Sequence, residues 1–271
     1  PSVLFLRTFV SPFTGNTNVS LVNPAFFNLN YKSELIAYSA EVLQIWQNDF
    51  LTSIAGIRYQ DGTSDTRDNL DRVPPIGDPT PAHIEKETDP NRISVYWYQH
   101  WQVIESLRLI AGVSYDRLEY PLNIDVSPIT SKEDTKDKLS PKAGILWSPL
   151  GDTHVRAVYR RSLGGAFFDS SVRLEPTEIA GFNQAFRSII PESVVGLVPG
   201  TEFETYGVGI DQSFKSGTYI FAQGEILNSD ATRTIGVLTN SDTAVPIADS
   251  ASRTRQSLDY EEKSFVAAVN Q

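Results

Sequence analysis

Alternation of apolar and polar residues recurs along this chain in short segments separated by turns. The clearest case covers residues 107–115, where Leu109 and Val113 alternate with Arg108 and Ser114. Successive side chains of a β-strand point to opposite faces, so this segment has one apolar face and one largely polar face. Because the pattern returns about ten times, the sequence predicts an all-β protein of about ten strands.

The predicted strands are spread over the whole chain without an evident domain linker. They cover residues 3–9, 36–46, 51–59, 93–103, 107–117, 139–147, 155–161, 203–214, 218–227 and 258–270. Helical periodicity is confined to residues 176–190. We therefore expect one β-barrel domain over residues 1–271, and a piece of a longer chain, since the sequence holds no methionine.

The connections between these strands alternate in length. The short ones lie at residues 47–51, 103–107, 148–153 and 214–218, and the long ones at 11–33, 60–92, 119–137, 162–202 and 229–257. Such long loops are uncommon in a compact soluble domain. A transmembrane barrel has short periplasmic turns at one rim and long extracellular loops at the other. The sequence thus predicts an antiparallel transmembrane β-barrel, or a roughly ten-strand portion of a larger one.

Composition narrows the function classes. The formal net charge of −10 argues against a nucleic-acid partner, because phosphate binding needs a basic surface. Without cysteine, the chain has no disulfide framework and no thiolate metal site. No run of eighteen apolar residues occurs, but a barrel strand needs only about 9–11 residues to cross a membrane. Outer-membrane lipid is therefore an expected partner.

Two stretches carry motifs beyond simple alternation. Residues 93–120 read ISVYWYQHWQVIESLRLIAGVSYDRLEY, and residues 139–162 read LSPKAGILWSPLGDTHVRAVYRRS. Together with residues 55–59 and 204–210, they resemble the barrel of TonB-dependent receptors. The matching residues of the first stretch are Tyr98, Gln99, Trp101, Leu107, Gly112, Tyr115 and Asp116, whereas His100 departs from the pattern.

The resemblance implies an outer-membrane transport protein that takes up solutes or lets them pass as a porin does. It implies a small solute or ligand and a periplasmic energy-coupling partner or upstream domain. The plug domain and the energy-coupling segment of that family have no counterpart in the sequence, and its barrels use about 22 strands. We therefore expect the barrel portion only.

Charged and amide side chains on the polar faces are candidates for lining the barrel lumen. An arginine or lysine facing lipid at mid-membrane costs about 2–4 kcal/mol, which favours an inward orientation. The candidates are Arg58, Arg108, Asp116, Lys142, Arg156, Arg160, Asp211, Gln223 and Glu225. Their mixed signs predict a hydrated lumen without strong ion selectivity.

The connection at residues 162–202 is apolar and aromatic for a loop. Exposed apolar clusters usually mark an interaction site or a segment that folds inward. We expect it to fold into the barrel mouth as a constriction or ligand contact, through Phe167, Phe168, Phe182 and Phe186.

The sequence offers little for bond chemistry. There is no Ser-His-Asp order or nucleophile elbow, and adjacent carboxylates point to opposite faces of a strand. We expect no enzyme activity, no cofactor and no metal. The four aspartates of residues 61–71 lack the spacing of a calcium loop. The alternatives are a soluble all-β module binding a ligand such as a glycan, and a barrel that anchors an upstream periplasmic interaction domain.

Overall fold

A computed structural model describes most of the chain. It covers residues 2–3, 6–10, 17–21, 25–73, 82–165, 168, 172–184, 198–239 and 250–271. Within these ranges, no helix is long and apolar enough to span a membrane.

The regular elements of these ranges are fifteen antiparallel strands. They are β1 (Ser2–Val3), β2 (Leu6–Val10), β3 (Thr17–Leu21), β4 (Ala25–Gln47), β5 (Leu51–Val73), β6 (Ala82–Thr88), β7 (Asn91–Ile104), β8 (Leu107–Asn123), β9 (Thr130–Leu150), β10 (Thr153–Leu163), β11 (Glu178–Ile179), β12 (Phe182–Asn183), β13 (Glu202–Ser213), β14 (Tyr219–Thr239) and β15 (Ser250–Asn270). One strongly curled sheet runs in the order β1-β4-β5-β7-β8-β9-β10-β13-β14-β15, and β6 pairs with β5. This meander is a half-barrel with a concave and a convex face.

The predicted fold class is confirmed. Nine of the ten predicted strands coincide with β4, β5, β7, β8, β9, β10, β13, β14 and β15. The predicted strand at residues 3–9 instead falls on β1 and β2, and β2 pairs with β3 in a separate two-stranded sheet. The predicted helix at residues 176–190 is wrong where the structure describes it, because Ala180 and Gly181 have positive φ angles of 51° and 76° and turn the chain between β11 and β12. Residues 185–190 lie outside the described ranges.

Within the described residues, the long connections other than that at residues 162–202 are mostly strand rather than irregular loop. β4 and β5 have 23 residues each, which at about 3.3 Å per residue exceeds the roughly 30 Å of the hydrocarbon core more than twofold. Residues 60–73 and 229–239, expected in loops, continue the ladders of β5 and β14. Continued pairing satisfies the backbone groups of the hairpins outside the membrane.

The convex face carries an apolar band whose height fits a membrane. On β7 the outward row runs from Ile93 to Trp101, and on β9 it runs from Leu139 to Trp147. Each row spans nine residues, close to the 9–11 that a tilted transmembrane strand needs. Beyond Leu139 the outward positions of β9 become Asp137 and Thr135, so the band ends where polar residues begin.

A single arginine placed at two heights of β9 tests this band. Ala143 lies in the middle of the outward row, and Thr135 lies on the same face above the band. We expect Ala143→Arg to lower the free energy of unfolding by about 2–4 kcal/mol, and Thr135→Arg by about 0–1 kcal/mol. Denaturant unfolding of the full-length barrel from lipid vesicles measures both. Equal losses for the two variants would contradict the placement of the band.

Candidate functional site

Burial on this sheet is inverted relative to a soluble protein. The side chains of Arg58, Arg92 and Lys142 are at most 1% exposed, whereas the outward Val208 is 65% exposed. Lipid accepts apolar side chains but penalises charged ones, so strand alternation places the charges on the concave face. The candidate site is therefore this concave face together with the chain segment that covers it.

Residues 172–184, here called the inner segment, pack against the middle of the concave face. Ile179, Ala180 and Phe182 are at most 3% exposed. They form one apolar cluster with inward residues of the three strands β7, β8 and β10, namely Tyr96, Tyr98, Ile110 and Val158. The contact between the inner segment and the wall is thus hydrophobic at its centre, although the surrounding wall is charged.

Glycines of the wall give the inner segment its space. A Cβ atom at Gly207 would lie 2.7 Å from Phe182 Cε1, and one at Gly144 would lie 2.9 Å from Ile179 Cγ2. Within the wall, the Tyr98 ring covers Gly112, where a Cβ would lie 2.6 Å from Tyr98 Cδ1. Real Cβ atoms essentially never approach other heavy atoms this closely, so only glycine fits at these positions without displacement.

Glu175 connects the inner segment to the wall by charge. Its Oε1 atom accepts hydrogen bonds from the Tyr98 hydroxyl at 2.6 Å and from Lys142 Nζ at 3.0 Å. Its Oε2 atom lies 3.6 Å from Nη1 of Arg58. The Tyr98 hydroxyl in turn accepts from Lys142 Nζ at 2.6 Å and from Gln184 Nε2 at 3.0 Å. One buried carboxylate therefore meets two buried cations and a phenol.

The side chain of Glu41 on β4 binds backbone amides of the inner segment. Its carboxylate accepts hydrogen bonds from the Leu174 amide at 2.8 Å, the Glu175 amide at 3.1 Å and the Tyr96 hydroxyl at 2.7 Å. It also lies 3.8 Å from Nη1 of Arg58. The wall and the inner segment thus share one network of two carboxylates and two cations.

The protonation state of Glu175 follows from this network. Burial alone raises the pKa of Glu175, but Lys142, the Tyr98 hydroxyl and Arg58 lower it, and the net effect is a pKa of about 2. Glu175 is therefore a carboxylate at neutral pH. An ionised carboxylate inside the half-barrel is stable only while its cationic partners stay in place.

The other buried wall cations pair within the wall. Arg92 donates to Asp116 at 2.8 Å, and Arg160 donates to Glu225 at 3.0 Å. Nearer the periplasmic rim, the half-buried Arg156 lies 2.9 Å from Asp211. These pairs neutralise charge on the concave face without help from the inner segment.

Arg156 also contacts the inner segment directly. Its guanidinium donates to the Gly181 carbonyl at 3.1 Å and to Gln223 Oε1 at 3.3 Å. The same guanidinium lies 5.3 Å from the ring centroid of Phe182, within the range of a cation–π contact. The tip of the inner segment is therefore anchored at the periplasmic side as well as at Glu175.

A second cover lies at the extracellular end. Residues 124–129, between β8 and β9, reach across the mouth to strands on both sides. The backbone carbonyl of Ile124 accepts a hydrogen bond from the Tyr31 hydroxyl at 2.6 Å. The Ile129 amide donates a hydrogen bond to the Asp68 carboxylate at 3.0 Å. On the other side, the Gly236 amide donates to the Val126 carbonyl at 3.3 Å. The mouth is thus bridged above the inner segment.

The structure brings most of the predicted lumen residues to the concave face. Those with buried or half-buried side chains there are Arg58, Asp116, Lys142, Arg156, Arg160, Asp211, Gln223 and Glu225. Arg108 differs, because it is exposed near the short turns and donates to Gln102 at 2.9 Å. Their role in lining a conducting lumen stays a prediction.

The four predicted loop phenylalanines are placed unequally. Phe182 is fully buried in the central cluster, and Phe168 is 2% exposed beside Leu118 and Leu163. Phe167 and Phe186 lie outside the described residues. A role in constriction or ligand contact stays a prediction for all four.

Metal chemistry finds no support in the part of the chain that the structure describes. No group of three or more histidine, aspartate or glutamate side chains there could hold a metal ion. The aspartates of residues 61–71 belong to β5 rather than to a loop, and Asp68 alone among them is buried.

Sequence reasoning missed Glu41, Arg92 and Glu175. A signal existed for Glu41 and Arg92, because both lie on predicted strands or directly beside one, at positions that alternate with apolar residues. Glu175 had no such signal. It lies in an irregular segment, and only the fold brings it to Lys142, 33 residues away along the chain.

Gly207→Val tests whether the inner segment needs the glycine clearance. The added side chain would collide with Phe182 and Val158, so we expect the segment to be displaced and stability to fall by about 1–3 kcal/mol. Gly224→Val is the matched control, because a Cβ there meets nothing closer than 3.7 Å. The anisotropy of a fluorophore on T177C, an exposed position of the segment, reports displacement. Unchanged anisotropy in Gly207→Val would contradict the packing described above.

Similarity to the solved structure of a copper transporter supports the fold. The copper transporter OprC superposes with a TM-score of 0.55 at 10% identity, covering 91% of this chain and 36% of that one. The siderophore receptor PiuA from Acinetobacter baumannii superposes with a TM-score of 0.42 at 13% sequence identity. The match covers 82% of this chain and 37% of that one. BauA, the ferric preacinetobactin receptor from the same organism, superposes with a TM-score of 0.42 at 13% sequence identity. The match covers 89% of this chain and 35% of that one. The chain thus spans about a third of the length of these structures.

Comparison at the sequence level identifies the family. A search of curated protein sequences finds no match. The sequence model described as "TonB dependent receptor-like, beta-barrel" matches residues 5–193, which is well over half of the chain. The resemblance seen in the motifs and the outer-membrane location are thereby confirmed. The chain therefore belongs to the TonB-dependent receptor-like β-barrel family of outer-membrane proteins.

Proposed function

We propose that this chain forms part of the wall of an outer-membrane solute-uptake receptor, and that its inner segment restricts passage along the concave face. The observation that carries this proposal is the charged, buried concave face covered by residues 172–184. Solute would be selected by the polarity of the wall and by movement of the segment rather than by bond chemistry. A periplasmic energy-coupling partner, which the family implies, would supply the work of opening.

Two expectations from the sequence bear on this proposal. The soluble glycan-binding module is set aside, because the family is one of outer-membrane barrels. A barrel that anchors an upstream periplasmic domain is compatible with the family and stays an alternative. Conductance separates the two, since an anchor needs no regulated pathway.

Removal of the inner segment is the direct test. Deleting residues 166–190 from the full-length protein should raise single-channel conductance in planar lipid bilayers, because the segment no longer covers the wall. Replacing the same residues by an equally long Gly/Ser linker should give a similar rise. Unchanged conductance in both variants would refute the restriction.

Glu175→Gln should release the segment without shortening it. The amide keeps the size of the side chain but leaves Lys142 without its carboxylate, and breaking a buried pair in this way costs about 3–5 kcal/mol. We expect lower anisotropy of a fluorophore on T177C and more frequent opening in the bilayer. Glu178→Gln is the matched control, because Glu178 is an exposed carboxylate of the same segment. The same behaviour in both variants would contradict an anchoring role for Glu175.

The pH dependence of docking follows from the pKa of Glu175. The bound value of about 2 lies below the ordinary value of 4.5, so the ionised form stabilises docking fully above pH 4.5 and loses this effect as the pH falls towards 2. We therefore expect constant T177C anisotropy between about pH 5 and 8, and a decrease only in strong acid. A decrease centred near pH 6 would show that another group controls docking.

A further inference from the structure

We propose that Lys142, Tyr98 and Arg58 form a binding site for a carboxylate group of the transported solute, and that Glu175 of the inner segment occupies this site in the solute's absence. The proposal rests on the function proposed above in treating the concave face as the solute pathway. It goes further by naming the wall residues that recognise the solute and the chemical class they select.

Lys142 depends on the inner segment for its charge partner. Among the buried wall cations of the described ranges, Arg92 pairs with Asp116 on the neighbouring strand, and Arg160 pairs with Glu225 of β14, two strands away in the sheet. Lys142 has Glu175 as its carboxylate partner. Departure of the segment therefore leaves a buried ammonium group without a counter-ion, and such a group is costly unless another anion replaces the first.

The donors are arranged for a planar carboxylate. Lys142 Nζ and the Tyr98 hydroxyl both address Oε1 of Glu175, and Arg58 Nη1 faces Oε2 from the other side. The hydroxyl oxygen of Tyr98 accepts from Lys142 of the wall, so its proton is available to donate to a carboxylate. Two oxygens of one group are thus recognised by separate donors, as charge-assisted carboxylate binding requires.

Arg58 has capacity left for a ligand. Its Nε and Nη1 atoms are buried and make no hydrogen bond within the described residues. Nη1 lies 3.6 Å from Glu175 and 3.8 Å from Glu41, both longer than a hydrogen bond. A carboxylate that can move freely could approach this nitrogen more closely than Glu175 does from the end of its constrained backbone.

The charge balance selects a group with one negative charge. Without the inner segment, two cations, Arg58 and Lys142, face the single wall carboxylate of Glu41. The site then has a net charge of one positive unit, which one carboxylate neutralises. A phosphate dianion would leave excess negative charge beside Glu41, so the wall favours a carboxylate over a phosphate.

Chemical rescue tests this site in the full-length protein, with acetate as the probe. Glu175→Ala removes the resident carboxylate and leaves a space of its size, so the T177C fluorophore should lose anisotropy. Sodium acetate should restore the anisotropy with a saturable dependence on concentration. Sodium chloride at equal ionic strength should act about tenfold more weakly or less, because a sphere cannot address separate donors.

Three variants make the test specific. Glu175→Ala combined with Lys142→Gln should lose acetate rescue by about tenfold or more, since a charge-assisted hydrogen bond is removed. Glu178→Ala should need no rescue, because that side chain is exposed. Glu175→Gln should respond less to acetate than Glu175→Ala, because the amide fills the space.

The outcomes separate this inference from the proposed function. Absence of saturable acetate rescue in a folded, heat-modifiable Glu175→Ala barrel overturns the carboxylate site, as does equal rescue by chloride. The rescue measures binding and needs no transport. If acetate restores the anisotropy but deletion of the inner segment leaves the conductance unchanged, the carboxylate site is retained. The proposal that the segment restricts passage is then refuted.

Discussion

Charges buried inside a half-barrel need partners, and this requirement organises the concave face. Strand alternation sends the wall charges away from lipid, where each would cost several kcal/mol. Inside, they lie in a region that water reaches poorly, and an unpaired charge there is equally unfavourable. The wall meets the requirement with cross-strand pairs such as Arg92–Asp116 and Arg160–Glu225. At Lys142 the partner comes from the inner segment, and this exception ties a loop to a rigid wall.

Apolar contact and charge act together in holding the inner segment. Phe182 and Ile179 fill clearances above Gly207 and Gly144, so the segment is positioned by shape. Glu175 and Glu41 then fix its register through hydrogen bonds that reach both its side chain and its backbone. Apolar contacts alone are not directional and would leave the register of the segment undefined. Ion pairs alone, without apolar cover, would be open to water and would be weaker. The combination gives one docked position that a competing carboxylate can weaken.

The transport role that the family suggests is compatible with this arrangement. A receptor wall must bind its solute weakly enough to release it, and a site that already holds a carboxylate of the protein lowers the net gain from binding a second one. The exchange of one carboxylate for another changes little in charge but frees the segment. Recognition and movement would then be coupled through the same three wall side chains.

The sequence by itself determined the strands, their polarity and the class of protein. Alternation is a local property, so it located nine strands of the sheet and placed Arg58, Lys142 and Arg160 on the inward face. Tertiary structure decided the conformation of the inner segment and its contacts with the wall, which alternation along the chain does not determine. Residues 176–184 form a short hairpin rather than a helix because positive φ angles and burial against wall glycines override local periodicity. Glu175 meets Lys142 and Arg58 only because the curled sheet brings distant strands beneath one loop, and no pattern of neighbouring residues encodes that contact.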